Sequence, residues 1–207
     1  MKIRRLALTT LFVSLALHAA RAADDDFARP GPYLGVGASR SVNVVEAFLD
    51  GTPVLQDIKV SDSWGVNGRV GYRVTSWFSV EAEYEWLDAF NASLGGAHLG
   101  TLDLQSATGN LRFIAPLRRF QPYLLLGAGA LFAKTNTPFN ALTVDHAAFA
   151  GRVGLGFDVY LTQNLLLNAG VEGVLSPAEV KITTGAGTFS EHGLGTVTFQ
   201  FGVGYRF

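Results

Sequence analysis

The sequence predicts an all-β fold, an eight-stranded antiparallel up-and-down transmembrane β-barrel preceded by a cleavable signal peptide. Three observations lead to this prediction: a basic and apolar N-terminal segment, repeated segments of about ten residues with alternating hydrophobicity, and alternating short and long connections. Hydrophobic residues make up 48% of the chain. After the N-terminal segment, no apolar run reaches the roughly 20 residues of a transmembrane helix, so apolar and polar residues are interleaved.

The N-terminal segment is typical of a signal peptide. A basic start is followed by the apolar stretch Leu6–Leu17, and Ala20 and Ala22 form a small-x-small cleavage site. The apolar stretch is too short for a stable membrane span. We therefore expect residues 1–22 to be removed and residues 23–207 to form the barrel.

Composition excludes several classes of protein. The chain has no cysteine, which excludes disulfides and thiolate metal sites. Without the four basic residues of the signal peptide, 12 Lys and Arg remain against 17 Asp and Glu, a net charge of −5. Such an acidic chain has no nucleic-acid footprint. The sequence also lacks a phosphate-binding loop and a cluster of metal-ligating residues, so we predict no metal and no cofactor.

Segments of alternating hydrophobicity separated by Gly, Asn and Pro follow one another from residue 30 onward. An even number of antiparallel strands closes a barrel with both termini on one side. The eight predicted strands are Tyr33–Ser41, Ser63–Val74, Phe78–Leu87, Gln105–Ala115, Pro122–Ala133, Ala147–Leu161, Leu165–Leu175 and Gly193–Phe207.

The connections between these strands alternate strictly between short and long. Transmembrane barrels have short turns on one side of the membrane and long loops on the other, so this alternation favours a membrane barrel over a soluble one. The short connections are Thr75–Trp77, Pro116–Gln121 and Thr162–Asn164, and the long ones are Val42–Asp62, Asp88–Leu104, Lys134–His146 and Ser176–His192.

The two faces of each strand predict which side contacts lipid. In the last strand, Phe199 and Phe201 lie on one face and Gln200 lies on the other. The interior of an eight-stranded barrel is just wide enough for side chains, and the large apolar groups of six strands would overfill it. We therefore predict an apolar face on lipid and a polar lumen. The fifth strand, which contains the apolar segment 124–128, has no predicted orientation.

Aromatic residues near the strand ends predict girdles at the two membrane interfaces, where amphipathic rings are enriched. Most of them lie at the end with the short connections. The predicted girdle residues are Tyr33, Tyr72, Trp77, Phe78, Tyr123, Tyr205 and Phe207 at that end, and Trp64 and Trp86 at the other.

Charged residues on the polar faces predict an ion-pair network in the lumen. An isolated charge in a narrow lumen is costly, and pairing with an opposite charge relieves that cost. The predicted network consists of Arg69, Arg73, Arg112, Arg152 and Arg206 together with Glu81, Glu83, Glu85, Asp158 and Glu172.

Strand register supports pairing of these charges. A tight turn between the sixth and seventh strands places Arg152 directly opposite Glu172. A turn between the second and third places Arg69 opposite Glu83 or, after a two-residue slip, Glu81. Two hypotheses follow: structural ion pairs that fill a closed lumen, or a gate whose pairs exchange and pass ions or small solutes. A wide diffusion pore is excluded, because it needs about 16 to 18 strands.

The C-terminal segment carries a family resemblance. Residues 199–207 alternate apolar with small or polar residues and close on an aromatic, which is similar to the C-terminal signal of bacterial outer-membrane barrels. Residues 32–37 and 120–123 also resemble that family. The chain as a whole resembles the small outer-membrane β-barrels, which include OmpA-type transmembrane domains, OmpX-type barrels and opacity-type adhesins. The apolar residues of the signal are Phe199, Phe201, Val203, Tyr205 and Phe207.

This resemblance implies a place in the bacterial cell outer membrane and insertion by the outer-membrane assembly machinery, which would read Phe207. It also implies contact with outer-membrane lipids and lipopolysaccharide. The fold hosts many functions. We favour a structural or surface-interaction, adhesin-like role in which the long loops bind a surface protein or host ligand. The alternative is a narrow gated channel.

A third hypothesis, an outer-leaflet lipid-modifying enzyme, has little support in the sequence. His98, His146 and His192 lie in or beside predicted long loops. Ser190 and Glu191 complete a set of hydrolytic residue types with His192, but adjacent strand residues point to opposite faces and would not converge. The His-x-Ser pattern of lipid-A deacylase barrels is absent. We predict no catalytic residues and no enzymatic activity.

Overall fold

A computed structural model describes residues 26–43, 58–60, 62–94, 97–136, 142–144, 147–184 and 187–207. The predicted signal peptide, with Ala20 and Ala22, lies outside the described residues, and its removal stays a prediction. Within the described part of the chain, no helix is long and apolar enough to cross a membrane.

The described chain is built almost entirely from strands. A 3-10 turn, Asp26–Ala28, precedes the first of them. The ten strands are β1 Gly31–Asn43, β2 Ile58–Val60, β3 Ser63–Thr75, β4 Phe78–Leu94, β5 Ala97–Ile114, β6 Phe120–Asn136, β7 Leu142–Val144, β8 Ala147–Tyr160, β9 Leu165–Thr184 and β10 Gly187–Arg206.

Eight of these strands close into an antiparallel barrel, which confirms the predicted fold. The barrel strands are β1, β3, β4, β5, β6, β8, β9 and β10, and each pairs with its neighbour along the chain. Closure comes from β10, which pairs antiparallel with both β9 and β1. The short strands β2 and β7 add to β4 and β9 outside the closed wall. We call the barrel end with the three short connections the short-turn end, and the other the long-loop end.

Side chains of the barrel wall alternate between exposed apolar and buried polar, as predicted for a membrane barrel. On β10, Phe201 is 65% exposed while its neighbour Gln200 is fully buried. The structure also fixes the orientation of β6, where Leu124 and Leu126 face outward and Leu125 is buried against Ile114 and Tyr123. This small apolar cluster lies inside the barrel, where other apolar side chains, such as that of Leu104, are also buried.

Two predicted girdle residues are instead inside the barrel. Tyr33 donates a hydrogen bond from its hydroxyl to Glu81 Oε2 at 2.8 Å, and Tyr123 is 5% exposed. The girdle prediction was wrong for both, because it used position along the strand and ignored the face. Gly71 makes room for the first ring, since a Cβ at this position would overlap it.

The long connections are shorter than predicted, because the strands on either side of them extend further. β9 continues to Thr184 and β10 begins at Gly187, and β4 and β5 likewise continue to Leu94 and begin at Ala97. Where paired strands extend beyond the apolar band, neither face requires an apolar side chain, so hydrophobic alternation fades while backbone pairing continues. The hydrophobic alternation therefore ends before the paired strands do.

Candidate functional site in the barrel lumen

The lumen contains all ten charged residues that the sequence placed there. Each is at most 7% exposed, although five are guanidinium groups and five are carboxylates. Strand alternation brings them inside, because each lies on the same side of its strand as neighbouring polar residues. They fall into three groups, centred on Arg152, on Arg112, and on the pair Arg73 and Arg206.

Arg152 on β8 is the centre of the most highly charged group. Its Nη1 lies 2.7 Å from Glu172 Oε2 and 3.0 Å from Glu83 Oε1, and its Nη2 lies 3.2 Å from Glu85 Oε2. The same Nη2 donates a hydrogen bond to Ser106 Oγ at 2.6 Å. One guanidinium thus contacts three carboxylates that come from two different strands, β4 and β9.

The predicted register between β8 and β9 was wrong by two residues. Glu172 lies directly opposite Gly154, and Arg152 lies opposite Val174. The pairing is centred on Gln163, one residue later than the predicted register requires, and this shifts each partner by two residues. Arg152 nevertheless reaches Glu172, because its long side chain spans the diagonal distance between cross-strand neighbours.

Arg112 on β5 forms the second group. Its Nη2 lies 3.0 Å from Asp158 Oδ2, and its Nη1 lies 3.4 Å from Glu81 Oε2. The guanidinium also stacks over the ring of Tyr123, 3.8 Å from the ring centroid. A cation over an aromatic face in a desolvated site is stabilised by the ring electrons, so the inward-facing tyrosine helps to hold this arginine.

Arg69 does not form the predicted ion pair, although its register is as predicted. It lies opposite Glu83 across β3 and β4, but its Nη2 donates to Asn168 Oδ1 at 2.7 Å. Asn168 in turn donates from Nδ2 to Asp158 Oδ1 at 2.7 Å. The amide therefore links Arg69 to the carboxylate that Arg112 holds, and it joins the first half of the barrel wall to the second.

Arg73 and Arg206 lie at the short-turn end and bind neutral acceptors. Arg73 Nη1 donates to Gln121 Oε1 at 2.7 Å, and its Nη2 donates to the carbonyl of Ser76. Arg206 Nη2 donates to the carbonyl of Gln163 at 2.7 Å. These arginines fix the short turns and the chain end to the barrel rim.

The carbonyl oxygen of Phe27 joins these groups from the N-terminal 3-10 turn. It accepts hydrogen bonds from Arg206 Nη1 at 2.5 Å, from Gln121 Nε2 at 3.0 Å and from Arg73 Nη1 at 3.4 Å. The Phe27 ring lies 5.7 Å from the ring of Tyr160. The segment before β1 therefore covers the short-turn mouth of the lumen.

Sequence reasoning placed the polar residues Asn168 and Gln200 on the inward faces but gave them no role in the network. Strand alternation was the signal for their position, because they share those faces with predicted charged residues. Tyr33 and Tyr123 were assigned to the wrong side. Phe27 precedes the first alternating segment, and nothing in its local sequence indicates that its backbone carbonyl would meet two arginines.

The remaining predicted residues lie on the outer wall or in the long-loop region. The C-terminal signal residues all face outward and are between 40% and 65% exposed. His98 is a position of β5 and His192 of β10, beyond the predicted strand limits, while His146 lies outside the described residues. Ser190, Glu191 and His192 are consecutive positions of one strand.

A closed eight-stranded barrel with an apolar exterior and a polar lumen defines the class of small outer-membrane β-barrels. The family described as "Outer membrane protein beta-barrel domain" matches residues 9–207. The chain belongs to this family and is a protein of the bacterial outer membrane. Its short-turn end therefore faces the periplasm and its long-loop end faces the cell exterior.

Solved structures of outer-membrane proteins share the fold. OprG from Pseudomonas aeruginosa matches with a TM-score of 0.66 and 16% identity, covering 89% of this chain and 99% of that one. AlkL matches with a TM-score of 0.58 and 16% identity, covering 86% of this chain and 90% of that one. Neisserial surface protein A matches with a TM-score of 0.56 and 14% identity, covering 86% of this chain and 99% of that one. No curated protein matches the sequence.

Proposed function

We propose that this protein acts at the cell surface through its long-loop end, in a structural or surface-interaction, adhesin-like role, while its lumen stays closed. The closed lumen rests on the group around Arg152, in which three carboxylates converge on one buried guanidinium. If water replaced the guanidinium in this group, the carboxylates would be left without their cation, and unpaired charges are costly in a narrow interior. The proposal includes no catalytic step.

The cover at the short-turn mouth supports a closed lumen independently. Phe27 accepts hydrogen bonds from two arginines and a glutamine of the barrel rim. The cavity between Arg69, Arg73, Arg112 and Asp158 has a volume of about 20 Å³. That volume is close to the minimum for one water molecule, so this cavity does not accommodate a larger solute.

The strands that extend past the lipid support a role at the cell exterior. β9 and β10 each have 20 residues, whereas a tilted strand needs only about 9–11 residues to cross the membrane. Their paired ends form a ribbon on the long-loop side, and β7 adds a third strand to it. A paired platform of this kind is a suitable scaffold for surface contacts.

The closed lumen predicts a silent planar bilayer. Refolded protein with normal heat-modifiable mobility should give no discrete conductance steps, because ion pairs and the Phe27 cover block the path. Arg69→Ala tests whether conductance depends on a side chain of the lumen. Arg40→Ala, at an exposed outer position, is the matched control. Reproducible steps that change in Arg69→Ala and stay the same in Arg40→Ala would contradict the closed lumen.

A gated channel is the second candidate, and one observation favours it. Glu85 Oε1 and Glu172 Oε1 are buried without a hydrogen-bond partner among the described residues. Arg152 contacts the other oxygen of each carboxylate, so its hydrogen bonds have alternative acceptors nearby. Exchange between them is the movement that a gate of this type requires, and the conductance experiment distinguishes the two candidates.

The surface role predicts that the β9–β10 ribbon is required for adhesion and dispensable for folding. Replacing residues 177–193 with Asn-Gly keeps the pairing of Ser176 with Leu194 and offers a tight hairpin turn. Bacteria that display this variant should lose adhesion to a host-cell monolayer at an unchanged surface level of the protein. A variant that adheres as well as the wild type would show that the ribbon is not the contact surface.

A further inference from the structure

The outer wall carries a charged residue on its lipid-facing side. On β1, Leu34, Val36 and Ala38 face outward, and Arg40 continues the same face with a side chain that is 52% exposed. It lies eight residues beyond Pro32, which pairs with Tyr72 of the short-turn girdle. At about 3.3 Å per residue and a tilt of roughly 40°, this is about 20 Å along the membrane normal.

This height places Arg40 at the outer-leaflet edge of the apolar band, which is about 25 Å tall. Trp64, a residue type enriched at membrane interfaces, lies directly opposite it on β3. The guanidinium carbon is 5.5 Å from the centroid of the indole ring. Asp62 accepts one hydrogen bond from Arg40 Nη2 at 3.0 Å. A guanidinium has five N–H donors, so this ion pair leaves donors for a second anionic partner.

A groove runs beside this arginine along the outer wall. Ala38 forms its floor, because this small side chain lies opposite the much larger Phe201. The groove has a volume of about 320 Å³, and Arg40 is the one charged residue among those that line it. The lining residues are Ala38, Arg40, Val42, Trp64, Phe199 and Phe201.

We propose that this groove binds a phosphorylated, multiply acylated glycolipid of the outer leaflet, that is, lipid A. One acyl chain lies over Ala38 between the aromatic side chains, and Arg40 donates hydrogen bonds to a phosphate group. The apolar lining matches the chain, and the planar guanidinium matches the geometry of a phosphate. The cation lies toward the long-loop end of the groove, where Val42 is the one lining residue of β1 that is farther out. This position matches the level of the phosphates.

The experiment is native mass spectrometry of the full-length refolded protein titrated with diphosphorylated lipid A and with its phosphate-free counterpart. We expect the wild type to bind the phosphorylated form about tenfold more tightly, the effect of a hydrogen bond between charged groups. Arg40→Ser should lose this preference. Lys134→Ser, which removes an exposed cation near the long-loop end of β6, should keep it.

A second variant tests the groove and leaves the charge in place. Ala38→Leu fills the floor with an apolar side chain that lipid-facing positions accept, and we expect it to weaken binding of both lipids about equally. Heat-modifiable mobility checks that every variant is folded. Three results would each overturn the proposal. The first is equal binding of the two lipids by the wild type, and the second is an equal loss of the preference for phosphorylated lipid A in Arg40→Ser and Lys134→Ser. The third is binding of both lipids by Ala38→Leu as tightly as by the wild type.

Discussion

Replacing Arg152 with methionine is expected to lower the free energy of unfolding by about 3–5 kcal/mol, the cost of breaking a buried ion pair by removing one partner. Methionine has a similar length, so the loss comes from charge and not from a large cavity. Glu83, Glu85 and Glu172 would remain buried without their shared cation. The measurement is urea unfolding of the refolded barrel, followed by tryptophan fluorescence.

Arg40→Met is the matched control for this prediction. It also removes an arginine from an ion pair, but that pair is about half exposed and is worth about 0–1 kcal/mol. Adding Glu172→Gln to Arg152→Met should recover part of the loss, because it removes one of the uncompensated charges. An Arg152→Met barrel within about 1 kcal/mol of the wild type would show that the lumen does not depend on this group.

Removing residues 23–28 is expected to open the short-turn mouth of the lumen. The deletion takes away the carbonyl oxygen that Arg73, Gln121 and Arg206 share, and the ring that packs on Tyr160. Hydrogen bonds to charged groups are worth about 1.5–3 kcal/mol each, so access to the mouth should rise at least about tenfold. The chain has no cysteine, so a single introduced cysteine can report that access.

Ile114→Cys places the reporter at a buried position just inside the mouth. Its rate of labelling by a membrane-impermeant maleimide should be low in the complete barrel and high in the deletion variant. A shorter deletion that removes residues 23–26 and keeps Phe27 is the control, and it should label slowly. Equal labelling of both deletion variants would show that the Phe27 segment does not close the mouth.

The faces of the strands were predictable from sequence because lipid imposes a strict rule on the outer side. Phe199, Phe201 and Val203 must face out if Gln200 faces in, and the structure agrees. β6 had no predicted orientation, since residues 124–128 are apolar on both faces. Its orientation depends on Leu125 finding an apolar contact with Ile114 inside the barrel, and a one-strand pattern contains no information about that contact.

The composition of the lumen was also predictable, but its pairings were not. Alternation alone placed Arg69, Glu83 and Arg152 inside. The register of adjacent strands predicted an ion pair between Arg69 and Glu83, whereas in the barrel Glu83 binds Arg152 from the opposite wall. Closure brings β4 and β8 face to face across a narrow interior, so contacts across the lumen compete with contacts between neighbouring strands.

The sequence by itself therefore determined the barrel class, the number of barrel strands, the outward and inward faces of all of them except β6, and the charges that fill the lumen. These follow from local rules: the two-residue period of a strand and the contrast between lipid and a polar interior. The tertiary structure decided which charges meet, that Tyr33 and Tyr123 lie inside, and that Phe27 covers the mouth. Such contacts depend on closure, which joins residues far apart in the chain at distances that no local pattern encodes.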